Sequence, residues 1–186
     1  MLKNNRYIGG GKLYFTSEDD GAVELDLGEV KNINFKVETE EAKAYDNSEV
    51  LEKLVDVVAI GVTATLTFDT QTINIQNMAL ATKANLTSET FTDGQELPDG
   101  TTVSGDDVVV PVIDMAKKPI IRGKFRFVGD ENGDEKPVLL IYSAALKSSS
   151  DFGYISKEFQ TLSFEGEVLK TATGYAKEYR MTVPQS

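Results

Sequence analysis

The chain contains no cysteine, no histidine and no tryptophan in 186 residues. Without thiols it forms neither a disulfide nor a thiolate metal site, so nothing favours an oxidising compartment and a reducing cytoplasm is the expected place of synthesis. The missing histidine removes the side chain that most often moves protons near neutral pH, and the missing cysteine removes the thiol nucleophile. An enzyme built on this chain would depend on carboxylates or amines. Glu40-Glu41 and Asp106-Asp107 are adjacent in sequence, so on strands each pair would point to opposite faces. The expectation is a protein that is not an enzyme, with no catalytic residue, no metal ligand and no cofactor.

Long apolar runs are also missing. None approaches the ~18 residues of a membrane-crossing helix, and the polar start Met1-Leu2-Lys3-Asn4-Asn5 lacks the apolar stretch of a signal peptide. A soluble protein without a membrane partner is expected. Positive charge is scarce: 19 Lys and Arg stand against 30 Asp and Glu, a net charge of −11. That is the wrong sign for a protein that holds nucleic acid by neutralising phosphates. A composition of 40% hydrophobic and 26% charged residues nevertheless belongs to a folded chain, and the length suits one domain over residues 1–186.

What is abundant is strand pattern. Tyr7 to Phe15 has strand-forming ends around Gly9-Gly10-Gly11, where glycine marks a bulge or close approach. A polar turn over Thr16–Gly21 leads to the alternation of Val23, Leu25 and Leu27 with Glu24 and Asp26. After Gly28, Ile33, Phe35 and Val37 oppose Asn32, Asn34, Lys36 and Glu38 with a period of two, which predicts one buried and one wet face. The alternation breaks over Glu38–Leu54, predicting a long acidic loop with a possible helical turn. It returns over Val55–Asp69, where Val62, Ala64, Leu66 and Phe68 oppose Thr63, Thr65, Thr67 and Asp69.

Gln71–Ala81 loses that period and predicts one short helix behind Thr72 as cap. Asn85–Thr102 reads as short strands joined by turns at Asp93-Gly94 and Pro98-Asp99-Gly100. Further strands are predicted over Val108–Asp114, Pro119–Val128, Pro137–Leu146 and Phe159–Leu169, with a hairpin turn at Asp130–Asp134. About eight strands point to a mainly β sandwich or barrel with one short helix.

Three motifs invite chemistry and fail on spacing. Asp130–Glu135 resembles a calcium loop, but its glycine comes two places early and Ile141 sits where the bidentate acid belongs. Gly9-Gly10-Gly11 lacks the Gly-Lys-Ser/Thr ending of a phosphate loop. Arg122, Lys124 and Arg126 form a basic row on one strand face, which in so acidic a chain reads as a solvated face or a row of ion pairs between subunits.

The order of these pieces resembles the tail tube proteins of long-tailed bacteriophages. The residues that carry the likeness are Tyr7-Ile8-Gly9-Gly10-Gly11-Lys12-Leu13-Tyr14-Phe15, Leu27-Gly28-Glu29-Val30 before an alternating strand, and Glu38-Thr39-Glu40 opening an acidic Tyr45-Asp46-Asn47-Ser48 loop. The threonine-rich strand Val62–Phe68 and the helical Ile73–Leu80 complete it. The likeness runs through roughly the first eighty residues; beyond them only the strand pattern agrees.

The resemblance implies a β-sandwich with a flanking helix, assembled as hexameric rings whose long strands join into a continuous inner barrel between subunits. It implies a structural virion protein, made in the host bacterial cytoplasm, whose rings stack into a hollow tail that conducts DNA. Its partners would be further copies of itself and the tape measure, tail tip and tail terminator proteins. Candidate lumen residues are then Asn34, Lys36, Glu38, Thr63, Thr65, Thr67, Asp69, Thr161, Ser163, Glu165 and Glu167. Candidate ring-stacking residues are Glu40, Glu41, Lys43, Tyr45, Asp46, Asn47, Ser48, Glu49, Leu51 and Leu54. A charge of −11 on each copy would let DNA slide past without sticking. The alternatives are the tube of a contractile injection system (a contractile tail, a tailocin or a type VI tube) and, from another class, a monomeric β-sandwich binding module.

Overall fold

The computed structural model describes residues 9–19, 22–46, 53–131, 135–148, 153–154 and 157–182. Among them lie β1 (Gly11–Ser17), β2 (Leu25–Asp26), β3 (Val30–Asp46), β4 (Lys53–Thr70), α1 (Ile75–Ala81), β5 (Asn85–Phe91), β6 (Val108–Asp114), β7 (Ile121–Gly129), β8 (Glu135–Ser148), β9 (Leu162–Val168) and β10 (Ala176–Thr182). The fold is mainly β with one short helix, as the alternation predicts, and every strand pairing is antiparallel.

Seven strands run in the order β2-β1-β7-β8-β9-β4-β3, and β10 joins as an eighth beside β8. The long β8 carries two partners on one edge, β10 along residues 135–141 and β9 along 144–148. Strands β5 and β6 form a separate two-stranded sheet.

The main sheet must curl. Its outermost strands, β2 and β3, would lie about 29 Å apart in a flat sheet at about 4.8 Å per strand. Only Leu27, Gly28 and Glu29 separate them in the chain, a span of at most about 15 Å. The apolar faces of the strands therefore turn inward and meet. Phe125 on β7 touches Phe15 on β1 at 5.0 Å between ring centres and Phe68 on β4 at 5.7 Å, and Phe68 stacks on Phe164 of β9 at 4.9 Å. Leu13, Leu66, Ile141, Leu146 and Leu162 complete this core, with Met78 of α1 packed into it.

Polar bonds hold the curl where β2 passes into β3. The Leu27 carbonyl accepts from the Thr70 hydroxyl at 2.8 Å and from the Asn77 amide at 3.2 Å, both buried side chains. Thr72 accepts from the Glu29 backbone N–H at 2.8 Å, so it serves this junction rather than the predicted helix cap. The cap is Asn74, whose side chain accepts from the Asn77 N–H at 2.7 Å, and the helix starts four residues later than predicted, at Ile75.

The largest departure from the sequence expectation is the region 38–54. In place of a loop with a helical turn, β3 continues to Asp46 and β4 resumes at Lys53, paired in register from Glu38 opposite Thr63 to Asp46 opposite Lys53. The alternation fails there because neither face of the ribbon is buried, so no hydrophobic period of two is required. Irregularities between Glu40 and Glu41 and between Ala44 and Tyr45 shift the register twice and scramble what period remains. Strand β10 was also missed, for the same reason: its residues from Lys177 to Thr182 are all exposed.

Candidate functional site

Two surfaces of the sheet stand out, and both belong to β3 and β4. The first is the wet face. Cross-strand partners share a face. On β3 and β4, Asn34 lies opposite Thr67, Lys36 opposite Thr65 and Glu38 opposite Thr63. Across β4, Thr65 meets Glu167, Thr67 meets Glu165 and Asp69 meets Ser163 on β9. The row continues onto β8, where Lys147 lies opposite Glu165. The lumen candidates on β3, β4 and β9 thus form one continuous patch, and Thr161 precedes β9 by a single residue.

This patch is only mildly acidic. Lys36 pairs with Glu38 at 2.5 Å, and Lys147 pairs with Glu167, which raises the lysine's pKa chiefly through that hydrogen bond. Asp69 accepts a 2.9 Å bond from Asn32. Four carboxylates, Glu38, Asp69, Glu165 and Glu167, thus face two lysines, and sequence reasoning missed Lys147. Its signal was available: Lys147 closes the apolar run of β8, where a polar residue on the outer face is expected.

The second surface is the ribbon. Strand β9 pairs with β4 only from Ala64 to Thr70, so the rest of the hairpin extends about 35 Å beyond the sheet at about 3.3 Å per residue. The hydroxyl of Tyr175 takes the first carbonyl past β9, that of Val62, at 2.7 Å. Along the projecting part, Leu54, Val55, Val57, Val58, Ile60 and Val62 all remain exposed, Ile60 to 66%. A strand that is apolar toward both faces is the signature of burial on both faces. Here no part of the same sheet supplies that burial, and β3 has no second strand partner along its whole length among the described residues.

Of the stacking candidates, Glu40, Glu41, Lys43, Tyr45 and Leu54 are exposed on this ribbon, and Asp46 is the last residue of β3. Asn47, Ser48, Glu49 and Leu51 lie outside the described residues. The sequence reading picked the acidic flank of the ribbon and passed over the run Val55, Val57, Val58 and Ile60. Those residues look like ordinary strand interior until the tertiary structure shows them exposed, with none of the described residues over them.

The basic row of β7 is partly an internal matter. Arg126 makes a two-pronged bond to Glu24, at 2.9 Å and 2.5 Å, and lies 4.3 Å above the ring of Tyr14. This bond holds the Glu24 carboxyl below its ordinary range. Arg122 and Lys124 are exposed on the same face, while Phe125 points into the core. Among the described residues, no three acidic side chains converge as a metal site would require, and no helix is long and apolar enough to cross a membrane.

At one end of the curl a cavity of about 590 Å³ opens, floored by Ile33, Phe35, Phe127, Pro137 and Leu139 and rimmed by Lys31, Glu178 and Arg180. No protein-family model matches the chain, and no curated protein is significantly similar to it.

Proposed function

We propose that the protein is a self-assembling structural subunit, and specifically the tube-forming subunit of a tailed bacteriophage, its copies joined edge to edge and stacked into a hollow tail. The observation that carries this reading is the long β3–β4 ribbon, whose strand β4 exposes apolar side chains on both faces. In a lone molecule such a ribbon is an aggregation hazard, which proteins otherwise blunt with charges, proline or a covering element. Closing strands of neighbouring copies into a common barrel removes the open edges altogether.

The polar patch on β3, β4 and β9 would then line the bore. Threonines and paired charges offer DNA no array of free cations, so a polyanion passes without being held. The particular family rests on the likeness in the first eighty residues, in the order of their strands, the acidic segment after residue 38 and the helix.

The test is negative-stain electron microscopy of the purified protein at high concentration, beside a variant in which residues 46–54 are replaced by a short Gly-Ser linker. Tubes or stacked rings from the intact chain, lost in the linker variant, are expected. Monodisperse monomers from the intact chain, even when seeded with tail tips, would overturn the reading in favour of a β-sandwich binding module.

A further inference from the structure

One face of the sheet is basic in a chain whose net charge is −11. The strands on the two sides of the core turn their apolar side chains toward one another, so the outer side of β1, β7, β8 and β10 looks away from the polar patch on β3, β4 and β9. Register sets its rows. Tyr14, Arg126, Leu140 and Lys177 form one and Lys12, Val128, Val138 and Tyr179 the next, with Lys124 beside Thr16 and Lys136 beside Met181. Arg122 extends the row of β7. The carboxylates of this face are Glu18, Glu24 and Asp26, engaged by Ser143, Arg126 and Lys12, and Asp130 at its edge. Arg122, Lys124, Lys136 and Lys177 make no ion pair among the described residues.

The arm formed by β5 and β6 is the reverse. Residues 85–113 carry Glu89, Asp93, Glu96, Asp99, Asp106 and Asp107 and no lysine or arginine. All of these carboxylates are exposed, and none makes an ion pair among the described residues. The end of the arm is folded. The Gly94 N–H donates to the Val103 carbonyl at 2.9 Å, the Val103 N–H to the Gln95 carbonyl at 2.9 Å and the Leu97 N–H to the Thr101 carbonyl at 2.7 Å, and Val103 is buried. Val108 and Val109 stay exposed, and β5 and β6 pair only with each other among the described residues. A two-stranded sheet alone is marginally stable in water, so the arm gains from a surface to lie on.

We propose that the arm of one copy docks through its carboxylates on the outer basic face of a second copy. The inference rests on the self-assembly reading and adds a contact made by neither the ribbon nor the polar patch. Charge complementarity points to a second copy as the occupant: the cations and carboxylates without ion pairs belong to the same chain, yet within one molecule they do not meet. The folded tip presents its carboxylates already arranged, which lowers the cost of docking. Beside the cations, Tyr179 and Met181, 41% and 55% exposed, offer apolar cover for Val108 and Val109. The contact joins two different surfaces and so runs head to tail, as rings and tubes require.

Charge reversal with complementation tests the docking. One variant reverses the face (Lys124→Glu, Lys136→Glu, Lys177→Glu) and another the arm (Glu96→Lys, Asp106→Lys, Asp107→Lys), all at positions outside the core. Circular dichroism and thermal melts check that each folds; should a triple variant not fold, the single reversals Lys177→Glu and Asp107→Lys repeat the test. Pelleting across a concentration series reads assembly. Each triple variant alone should need a concentration at least about threefold above that of the unaltered chain, the worth of three exposed ion pairs. An equal mixture of the two should assemble close to the unaltered concentration, because each finds its complement on the other. Variants that assemble alone as readily as the unaltered chain would overturn the docking and leave the tube reading in place. Impaired variants that the mixture does not rescue would also overturn it, since face and arm would then meet something other than each other. An unaltered chain that never pellets, even when seeded with tail tips, would overturn the tube reading and the docking with it.

Discussion

Replacing Val58 and Ile60 by serine separates assembly from folding. In the single copy these side chains are 53% and 66% exposed, so more than half of their burial energy is unrealised. Full burial of a Val or Ile side chain contributes about 1.5–3 kcal/mol, which leaves about 2 to 3.5 kcal/mol for the two residues together when a neighbour covers them. At 1.4 kcal/mol per factor of ten, the Val58→Ser, Ile60→Ser protein should need a concentration about 30- to 300-fold higher to form tubes. Its unfolding should barely change, because these residues lie outside the core of Leu13, Phe15, Phe68, Phe125 and Phe164. Pelleting across a concentration series measures the first quantity, and urea denaturation below the assembling concentration measures the second. An unchanged critical concentration with a urea midpoint lowered as a core mutant's would be would refute the reasoning, since the ribbon would then be covered within its own chain.

Three further outcomes concern the fold itself. Phe68→Ala should destabilise by about 3–5 kcal/mol, read from the urea midpoint, because Phe68 is 1% exposed and bridges the rings of Phe125 and Phe164 across the curl. Gly123→Ala should cost about 1–3 kcal/mol, since an added Cβ would stand 2.3 Å from the Phe15 ring and 2.5 Å from the Thr16 carbonyl oxygen; a neutral result in thermal melts would show that β1 and β7 can part. The Glu24 carboxyl is held below its ordinary value of 4.5, first by its hydrogen bond to Arg126. Its contribution is therefore fully present above pH 4.5 and is lost as pH falls through the lower folded-state value. Glu24→Gln should remove that part of the acid dependence, seen as a shallower loss of stability below pH 4.5 while the loss at neutral pH stays within about 1 kcal/mol, as for exposed pairs.

Strand-by-strand alternation was enough to place the mainly β class, the short helix and the wet faces of β3, β4 and β9. It could do so because a half-buried strand must alternate with a period of two, and that requirement is local. Asn34, Lys36, Thr65 and Thr67 were legible as wet-face residues before any pairing was known. Pairing then brought them to Glu165 and Glu167, more than ninety residues further along the chain, and added Lys147 beside them.

The ribbon lay beyond that logic. From Glu38 to Tyr45 every residue is exposed and no alternation is needed, and only the cross-strand register to β4 reveals a strand there. The curl was equally hidden. It follows from the short link Leu27-Gly28-Glu29 between strands at opposite edges of the sheet, and so from long-range pairing rather than local pattern. The sequence by itself thus determined which residues want water and which do not, a property of single side chains and their period. The tertiary structure decided which of the apolar ones still lack cover, because exposure depends on what the rest of the chain brings alongside.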